Sequence, residues 1–312
     1  MTTPANPSTS SLWHGVLPAL TTPFDAEGQV DTAFLARHAA WTLDAGCRGV
    51  VALGSLGESA TLSFAEKRQI LETLVAAIGP RGPVIAGIAA LSTDEAVALA
   101  RAAAEVGCAG LMVLPPYVYS TDWPEMRAHV EAVITATALP CMLYNNPIAY
   151  RTDFLPQHIA ELAAAHANVQ AVKESSADVR RIAAIRHLVG ERLALLVGVD
   201  DLIVEGLAAG AVGWVAGLVN ALPQESVRLF DLAQRAARQG DTGAAREADA
   251  LYRWFLPLLR MDTVPKFVQL IKLAQQQAGW GHERVRGPRR VLAGAERAQA
   301  LAEIDAALAA RA

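Results

Sequence analysis

The sequence Val169-Gln170-Ala171-Val172-Lys173-Glu174-Ser175-Ser176 joins a short apolar run to a turn of charged and hydroxyl residues. The same order recurs along the chain: an apolar run, a turn of small residues, and then an Ala-rich stretch with helical spacing. Continuous apolar runs are typical of parallel strands that are buried on both faces. Eight runs follow this pattern, at residues 15–20, 49–53, 84–88, 110–114, 141–144, 169–172, 193–197 and 213–216.

Eight successive strand–helix units predict an α/β protein built as a (β/α)8 TIM barrel. Capping boxes support the intervening helices, because Ser and Glu stand three residues apart at 63–66 and at 92–95. A doubly wound sheet is the alternative, and it would carry a Gly-rich nucleotide loop after its first strand. That position holds Thr21-Thr22-Pro23-Phe24, which favours the barrel.

The strand pattern ends at Leu222, and helical spacing continues from there. Helices are predicted over residues 225–238, 244–260, 264–278 and 296–310. The sequence therefore predicts three parts: a flexible tail at 1–12, a barrel domain at 13–222 and a C-terminal helical extension at 223–312. The tail is rich in Ser, Thr and Pro but has no basic or apolar segment, so we expect no signal peptide.

The composition narrows the class of protein. Hydrophobic residues make up 53% of the 312 residues and charged residues 19%, which predicts a large folded core. A net charge of −4 gives no electrostatic footprint for nucleic acid, and no apolar run is long enough to span a membrane. Cys47, Cys108 and Cys141 lack metal-ligand spacing and form an odd set, which predicts a reducing compartment, the cytoplasm.

Lysine is scarce in this chain, with only Lys67, Lys173, Lys266 and Lys272 among 27 basic residues. Lys67 is predicted on a solvated helix face, and the last two fall in a late helical segment. Only Lys173 follows a strand-like run, where its amine would lie at the mouth of a buried sheet. Loss of hydration there disfavours the ammonium, and a neutral amine can form a Schiff base with a carbonyl. An ion-pair lysine at a strand end is the alternative.

Other strand ends supply matching groups, since a barrel of this type carries its chemistry at the carboxyl ends of its strands. The second run ends in Gly54-Ser55-Leu56-Gly57-Glu58-Ser59, where bare backbone N–H groups and a hydroxyl suit a carboxylate. The fifth ends in Tyr144, a proton carrier if it lies beside a Schiff-base lysine. A tight turn and an amphipathic rim residue are the alternatives. Together these groups predict a 2-oxo acid substrate.

Structural roles are predicted for the remaining polar residues. Asp200 and Asp201 are predicted as a helix N-cap and a first-turn acid. The seven histidines form no cluster with metal-ligand spacing, and no G-x-S-x-G sequence marks a serine nucleophile. No metal or organic cofactor is expected.

The chain resembles the dihydrodipicolinate synthase/N-acetylneuraminate lyase family of class I Schiff-base enzymes. Three motifs in order carry the resemblance, which extends from Trp13 to Arg297. They are Gly54-Ser55-Leu56-Gly57-Glu58 for the 2-oxo acid carboxylate, Tyr144-Asn145-Asn146-Pro147 with the catalytic tyrosine, and Lys173-Glu174-Ser175 with the Schiff-base lysine.

The resemblance implies a homotetramer, a dimer of dimers. It implies that Tyr117 reaches across a dimer interface and that the Ser55 hydroxyl joins it to Tyr144 in a proton relay. It also implies that Ser55 and Leu56 hold the carboxylate through their N–H groups. Pocket-lining positions match Gly198 and Val215.

The sequence departs from the synthase pattern at the contacts to a second substrate. The synthase arginine five residues after the catalytic tyrosine is Ala149 here, and Arg151 lies two residues further on. Leu56 replaces a hydroxyl residue. Each missing polar contact in a buried site is worth about 1–3 kcal/mol, which disfavours synthase activity.

These departures suggest a pocket for a small, compact substrate. The resemblance therefore predicts a lyase or deaminase for a small 2-oxo acid or cyclic imine carboxylate, preferably deamination of 1-pyrroline-4-hydroxy-2-carboxylate. A 2-keto-3-deoxy sugar-acid aldolase or dehydratase and a 4-hydroxy-tetrahydrodipicolinate synthase are the enzymatic alternatives. A non-catalytic ligand-binding barrel is the alternative from another class.

Overall fold

The computed structural model describes residues 12–118 and 122–311, so most of the predicted tail lies outside the described residues. The strands are β1 (Gly15–Pro18), β2 (Val50–Ala52), β3 (Val84–Ile88), β4 (Gly110–Val113), β5 (Cys141–Asn145), β6 (Val169–Glu174), β7 (Ala194–Val197) and β8 (Gly213–Ala216). The helices are α1 (Thr32–Asp44), α2 (Phe64–Ile78), α3 (Thr93–Val106), α4 (Trp123–Thr135), α5 (Pro147–Tyr150), α6 (Pro156–Ala165), α7 (Arg180–Val189), α8 (Ile203–Ala208), α9 (Pro223–Gln239), α10 (Thr242–Leu259), α11 (Phe267–Gln277) and α12 (Gly294–Ala309).

The eight strands form one parallel sheet in the order β1-β8-β7-β6-β5-β4-β3-β2. A single parallel bridge between Ala19 and Val51 closes the sheet on itself. The predicted (β/α)8 barrel is confirmed, and each of the eight apolar runs forms a strand. The runs were visible because nearly every strand residue is buried, by the barrel interior on one face and the helices on the other.

Strand pairing fixes which side chains point into the barrel. Tyr144 on β5 pairs with Lys173 on β6, and Lys173 pairs with Leu196 on β7. Leu196 in turn pairs with Gly213 on β8. Residues paired across parallel strands share a face, and the face alternates along each strand. Tyr144 and Lys173 therefore project to the same side of the sheet at its carboxyl end.

Four helices follow the barrel, as the sequence predicts for the region after residue 222. Pro223 begins α9, where its fixed φ and missing N–H are tolerated. Phe255 and Leu258 of α10 and Ile271 of α11 are buried in the same apolar core as the strands. Because one core continues from the strands into these helices, it marks no domain boundary. The boundary at 222–223 therefore remains a prediction from the sequence.

The capping prediction holds for α2 and in part for α3. Ser63 and Glu66 form a reciprocal capping box. Ser92 accepts a hydrogen bond from the Glu95 N–H, but the Glu95 carboxylate lies 3.6 Å from Lys67 Nζ instead of capping in return. The prediction that Lys67 is solvated is wrong, because this lysine is only 4% exposed. Its apolar stem is buried between helices while its ammonium reaches Glu95.

Over residues 12–118 and 122–311, no helix combines the length and the apolar character needed to cross a membrane.

Candidate active site

A lysine and a tyrosine meet at the carboxyl end of the barrel. Lys173 Nζ lies 4.2 Å from the centroid of the Tyr144 ring. Both side chains are buried, at 6% and 4% exposure. The Lys173 amine makes no hydrogen bond or ion pair with any described residue. This arrangement leaves a buried amine against an aromatic face, with no protein hydrogen bond from the described chain to hold it.

Gly198 creates the space that the lysine stem occupies. It follows β7 and lies two residues beyond Leu196, so its missing Cβ would point into the barrel. A Cβ built there would stand 2.5 Å from Lys173 Cε and 2.0 Å from Ser175 Oγ. Any larger residue at position 198 must displace the lysine or the serine.

The Tyr144 hydroxyl is held by the next turn. Asn146 Nδ2 donates a hydrogen bond to this hydroxyl at 3.0 Å, and Asn146 Oδ1 accepts one from the Ala149 N–H at 3.0 Å. The second bond fixes the orientation of the amide. Because the tyrosine oxygen acts here as an acceptor, its own proton remains available for donation.

The turn after β2 has the geometry of an anion site. Thr22 donates to the Gly57 carbonyl at 2.6 Å, and a Cβ on Gly57 would stand 2.9 Å from the Leu20 carbonyl. Within the described chain, the N–H groups of Ser55 and Leu56 donate to no protein acceptor. Two adjacent free donors and a nearby hydroxyl can hold a carboxylate.

Three tyrosines gather around this turn. The Tyr150 ring centroid lies 5.2 Å from that of Tyr117 and 5.9 Å from that of Tyr144, with the second pair edge to face. The Ser55 hydroxyl is hydrogen-bonded to the Tyr150 hydroxyl. Sequence resemblance placed Ser55 between Tyr144 and Tyr117, whereas in one chain its partner is Tyr150. Burial raises the pKa of Tyr150, and it also raises that of Tyr117.

Asp200 ties β7 to β8. Its carboxylate accepts hydrogen bonds from Gly217 N–H, Leu218 N–H and Trp214 Nε1 at 2.7–3.1 Å. The N-cap prediction for Asp200 is therefore wrong, because the side chain turns inward to bare N–H groups at the end of β8. Burial raises its pKa to about 6, even though these donors and the nearby Lys173 act in the opposite direction.

A second carboxyl, Asp262, enters the barrel mouth from the turn after α10. A Cβ on Gly217 would stand 2.1 Å from Asp262 Oδ1, so the glycine leaves room for this carboxyl. Position 217 is two residues beyond Val215, which is buried and pairs with Leu17. Burial and the Asp200 charge raise the pKa of Asp262 well above its usual value, while Lys173 opposes the shift.

The last residue of the β2 motif serves the scaffold. Glu58 is buried and accepts a hydrogen bond from Lys272 Nζ at 2.6 Å. Lys272 also donates to the carbonyls of Thr22 and Arg284, at 2.7 and 2.8 Å. Burial lowers the pKa of Lys272. Its amine is fully engaged by three acceptors, which distinguishes it from Lys173.

A polar network fixes the strand ends around the lysine. Glu174 accepts hydrogen bonds from Asn145, Ser176 N–H and Arg181, and Arg181 also pairs with Asp153 at 2.9 Å. These bonds connect the end of β5 to the end of β6. Arg151, the candidate substitute for the synthase arginine, is exposed at the end of α5 with a φ of 58°.

The described residues contain no group of His, Cys, Asp and Glu side chains arranged to hold a metal ion.

A barrel whose mouth presents a buried lysine, a tyrosine and a turn with N–H groups unpaired within the described chain is typical of a class of Schiff-base enzymes. The chain matches the model of the dihydrodipicolinate synthetase family over residues 12–307. It therefore belongs to that family, whose members are class I lysine Schiff-base lyases.

Curated relatives agree with this assignment. The chain is 35% identical over 278 residues to a 4-hydroxy-tetrahydrodipicolinate synthase of Agrobacterium fabrum, which covers 89% of this chain and 92% of the relative. A protein of the same name from Acidiphilium cryptum is 34% identical over 288 residues, or 92% of this chain and 96% of the relative.

Solved structures agree as well. A putative dihydrodipicolinate synthetase from Pseudomonas aeruginosa has a TM-score of 0.86 at 29% identity, covering 94% of this chain and 99% of that one. YagE from E. coli K12, solved in complex with pyruvate, has a TM-score of 0.86 at 27% identity, again covering 94% and 99%.

Proposed function

We propose that this enzyme forms a Schiff base at Lys173 with a small 2-oxo acid or cyclic imine carboxylate, and that its reaction is the deamination of 1-pyrroline-4-hydroxy-2-carboxylate. The observation that carries the first part is the uncommitted Lys173 amine, 4.2 Å from the Tyr144 ring. Nζ attacks C2 of the bound substrate. Tyr144 gives a proton to the oxygen or nitrogen that leaves C2.

The substrate carboxylate binds at the turn after β2 in this proposal. The N–H groups of Ser55 and Leu56 donate to it, since neither has an acceptor in the described chain. Gly198 and Val215 bound the pocket on the other side. Tyr117 of a neighbouring subunit was expected to extend the relay, and that role stays a prediction.

The carboxyl groups of Asp200 and Asp262 support a reaction in which a group leaves the carbon chain of the substrate. Burial raises the pKa of both carboxyls, and the Asp200 charge raises that of Asp262 further, so each keeps its proton to a higher pH than an exposed aspartate does. A protonated carboxyl beside the Schiff base supplies the proton that a departing hydroxyl or nitrogen requires. Ala149 offers no cation for a second substrate carboxylate, and Arg151 points to solvent.

The deamination balances without an external oxidant or reductant. Nζ adds to C2, and the ring nitrogen leaves C2 as a primary amine. Loss of a C3 proton and of the C4 hydroxyl as water is followed by a proton shift that gives an imine at C5. Hydrolysis of this imine releases ammonia, and hydrolysis of the Schiff base releases 2,5-dioxopentanoate. The net reaction consumes one water molecule.

The second candidate is 4-hydroxy-tetrahydrodipicolinate synthesis, which the names of the curated relatives favour. A sugar-acid aldolase or dehydratase would use the same lysine. A non-catalytic barrel is the alternative from another class, and it predicts that no 2-oxo acid can be trapped on Lys173.

The test is borohydride reduction with pyruvate and, separately, with 1-pyrroline-4-hydroxy-2-carboxylate, followed by peptide mass spectrometry. We expect an adduct on Lys173 with pyruvate and release of ammonia from the pyrroline. An adduct without ammonia would sink the deaminase assignment alone. Absence of any adduct in the folded protein would sink the Schiff-base assignment.

We also propose a homotetramer in the cytoplasm. Apolar side chains are exposed at the rim after β3, β4 and β5, with Leu91 at 56%, Val118 at 59% and Ile148 at 67%. Exposed apolar side chains at this rim fit a subunit contact. The three cysteines are free and buried, in keeping with a reducing compartment. Light scattering on the purified protein tests the assembly.

A further inference from the structure

Tyr150 lies in the active site but has no counterpart among the predicted site residues. It is the last residue of the short helix α5, between Ala149 and Arg151. Its hydroxyl is bonded to Ser55, which is 95 residues away in sequence. Its ring packs against both Tyr117 and Tyr144. The tyrosine therefore touches each group that was assigned to proton transfer except the lysine.

The direction of the Ser55–Tyr150 bond follows from the acidity of the two hydroxyls. A phenol is a stronger hydrogen-bond donor than a serine hydroxyl. This difference favours Tyr150 as the donor and the Ser55 oxygen as the acceptor. With Tyr150 as the donor, the Ser55 proton points away from Tyr150.

The Tyr144 hydroxyl already accepts one hydrogen bond and can accept another. Asn146 Nδ2 donates to its oxygen, so the Tyr144 proton is directed elsewhere. The second lone pair of this oxygen can accept a hydrogen bond from the Ser55 hydroxyl. A chain of hydroxyls that all donate in one direction polarises each member and strengthens the last donor.

We propose that Tyr150 is a positioning residue that directs the Ser55 hydroxyl proton into the barrel mouth, so that the relay ending at Tyr144 is completed within one chain. The inference rests on the proposed Schiff-base function. In this arrangement Tyr117 of the same chain packs against the Tyr150 ring, and this contact takes the place of the role expected for Tyr117 of a neighbouring subunit. The proton that Tyr144 gives to the substrate returns to it in the reverse step, so no net charge is left on Tyr150.

The test measures exchange of the pyruvate methyl hydrogens in D2O by NMR, which reports enamine formation whatever the natural substrate is. The variants are Y150F, which keeps the ring, S55A, and the double variant. We expect each single variant to slow exchange about 10- to 100-fold while borohydride still traps pyruvate on Lys173. The double variant should be no slower than the slower single variant, because both changes remove the same Ser55–Tyr150 hydrogen bond.

The pH profile of exchange separates positioning from general loosening, since a loosened site would lower the rate equally at every pH. We expect Y150F to shift the alkaline limb of the profile. Y252F is the matched control, because Tyr252 on α10 donates to the Asp201 carbonyl and touches no site tyrosine. It should exchange like the wild type.

Three outcomes overturn the proposal. Exchange at the wild-type rate in Y150F, or additive losses in the double variant, would show that Tyr150 does not act through Ser55. Absence of a pyruvate adduct in the wild-type protein would remove the proposed function and this inference together. The first two outcomes leave the Schiff-base function standing, so the failures are distinguishable.

Discussion

The carboxylate of Glu58 and the ammonium of Lys272 form a buried ion pair at 2.6 Å, although 214 residues separate them in sequence. Their side chains are 0% and 2% exposed. Lys272 Nζ also holds the Thr22 carbonyl, so α11 is fastened at once to the loops after β1 and β2. One lysine of the C-terminal extension thus fixes the turn that carries Ser55 and Leu56.

Replacing Lys272 by methionine should destabilise the protein by about 3–5 kcal/mol, because it leaves the Glu58 carboxylate buried without its partner. The free energy of unfolding in urea measures this loss. Lys266→Met is the matched control, since Lys266 pairs with Glu296 while both side chains are half exposed. That variant should lose no more than about 1 kcal/mol. Equal losses would contradict the assigned role of the buried pair.

Replacing Lys173 by arginine should abolish the borohydride adduct and lower turnover at least about 10³-fold, because a guanidinium cannot form an imine. Arginine keeps a long basic side chain at this position, so unfolding in urea should change little. Lys266→Arg serves as control and should trap pyruvate normally. An adduct that persists in the Lys173 variant would assign the chemistry to another amine.

Replacing Gly198 by alanine should slow trapping of pyruvate by about 10²-fold or more. The added methyl group would stand 2.5 Å from Lys173 Cε, and an ångström of displacement at a reacting group costs about that factor. Gly243→Ala is the control, because its new methyl group meets only the Asp241 carboxylate, at 3.2 Å. Normal trapping in the Gly198 variant would show that the lysine stem has more room than the structure gives it.

Replacing Asp262 by asparagine should change how stability depends on pH. The raised pKa values of Asp200 and Asp262 mean that the native state holds protons which the unfolded chain releases above about pH 4. Wild-type stability therefore falls as the pH rises through about 6 and beyond. The variant loses one carboxyl and the repulsion on Asp200, so its decline should be smaller by about 1 kcal/mol or more.

Urea unfolding between about pH 4 and pH 8 measures this difference. Asp305→Asn is the control, since Asp305 is exposed on α12. The Asp262 variant should still trap pyruvate but release ammonia from the pyrroline about 10²-fold more slowly. Parallel pH curves for variant and wild type would contradict the raised pKa of Asp262. An unchanged rate of ammonia release would remove this residue from the proposed mechanism.

The barrel was predictable because its strands are short, apolar and buried on both faces, as in Val84–Ile88 and Val169–Glu174. The lysine was predictable because a charged residue at the end of such a run is rare. Both signals are local. The Schiff-base family followed from three local motifs, and the match over residues 12–307 agrees with it.

The groups that sequence missed all depend on distant partners. Tyr150 meets Ser55 across 95 residues, and nothing in the sequence around Ala149 shows which way α5 turns. Asp262 stands in a turn among helices, where an acid is ordinarily solvated. Lys67 and Glu95 are 28 positions apart and pair only because α2 packs against α3. Gly217 offered a signal in the sequence, because a glycine just after β8 leaves room for the side chain of another residue, here Asp262.

The way the barrel closes gives the C-terminal extension a part in holding β1 and β2 together. Seven of the eight pairs of neighbouring strands are joined by a ladder of backbone hydrogen bonds. The eighth pair, β1 and β2, is joined through the one bridge between Ala19 and Val51. Lys272 bonds to Thr22 just beyond one of these strands and to Glu58 just beyond the other. The C-terminal extension thus links β1 and β2, the neighbouring strands that are joined by a single bridge. A chain that ended before α11 would lose these two bonds where β1 meets β2, next to the turn that carries Ser55 and Leu56.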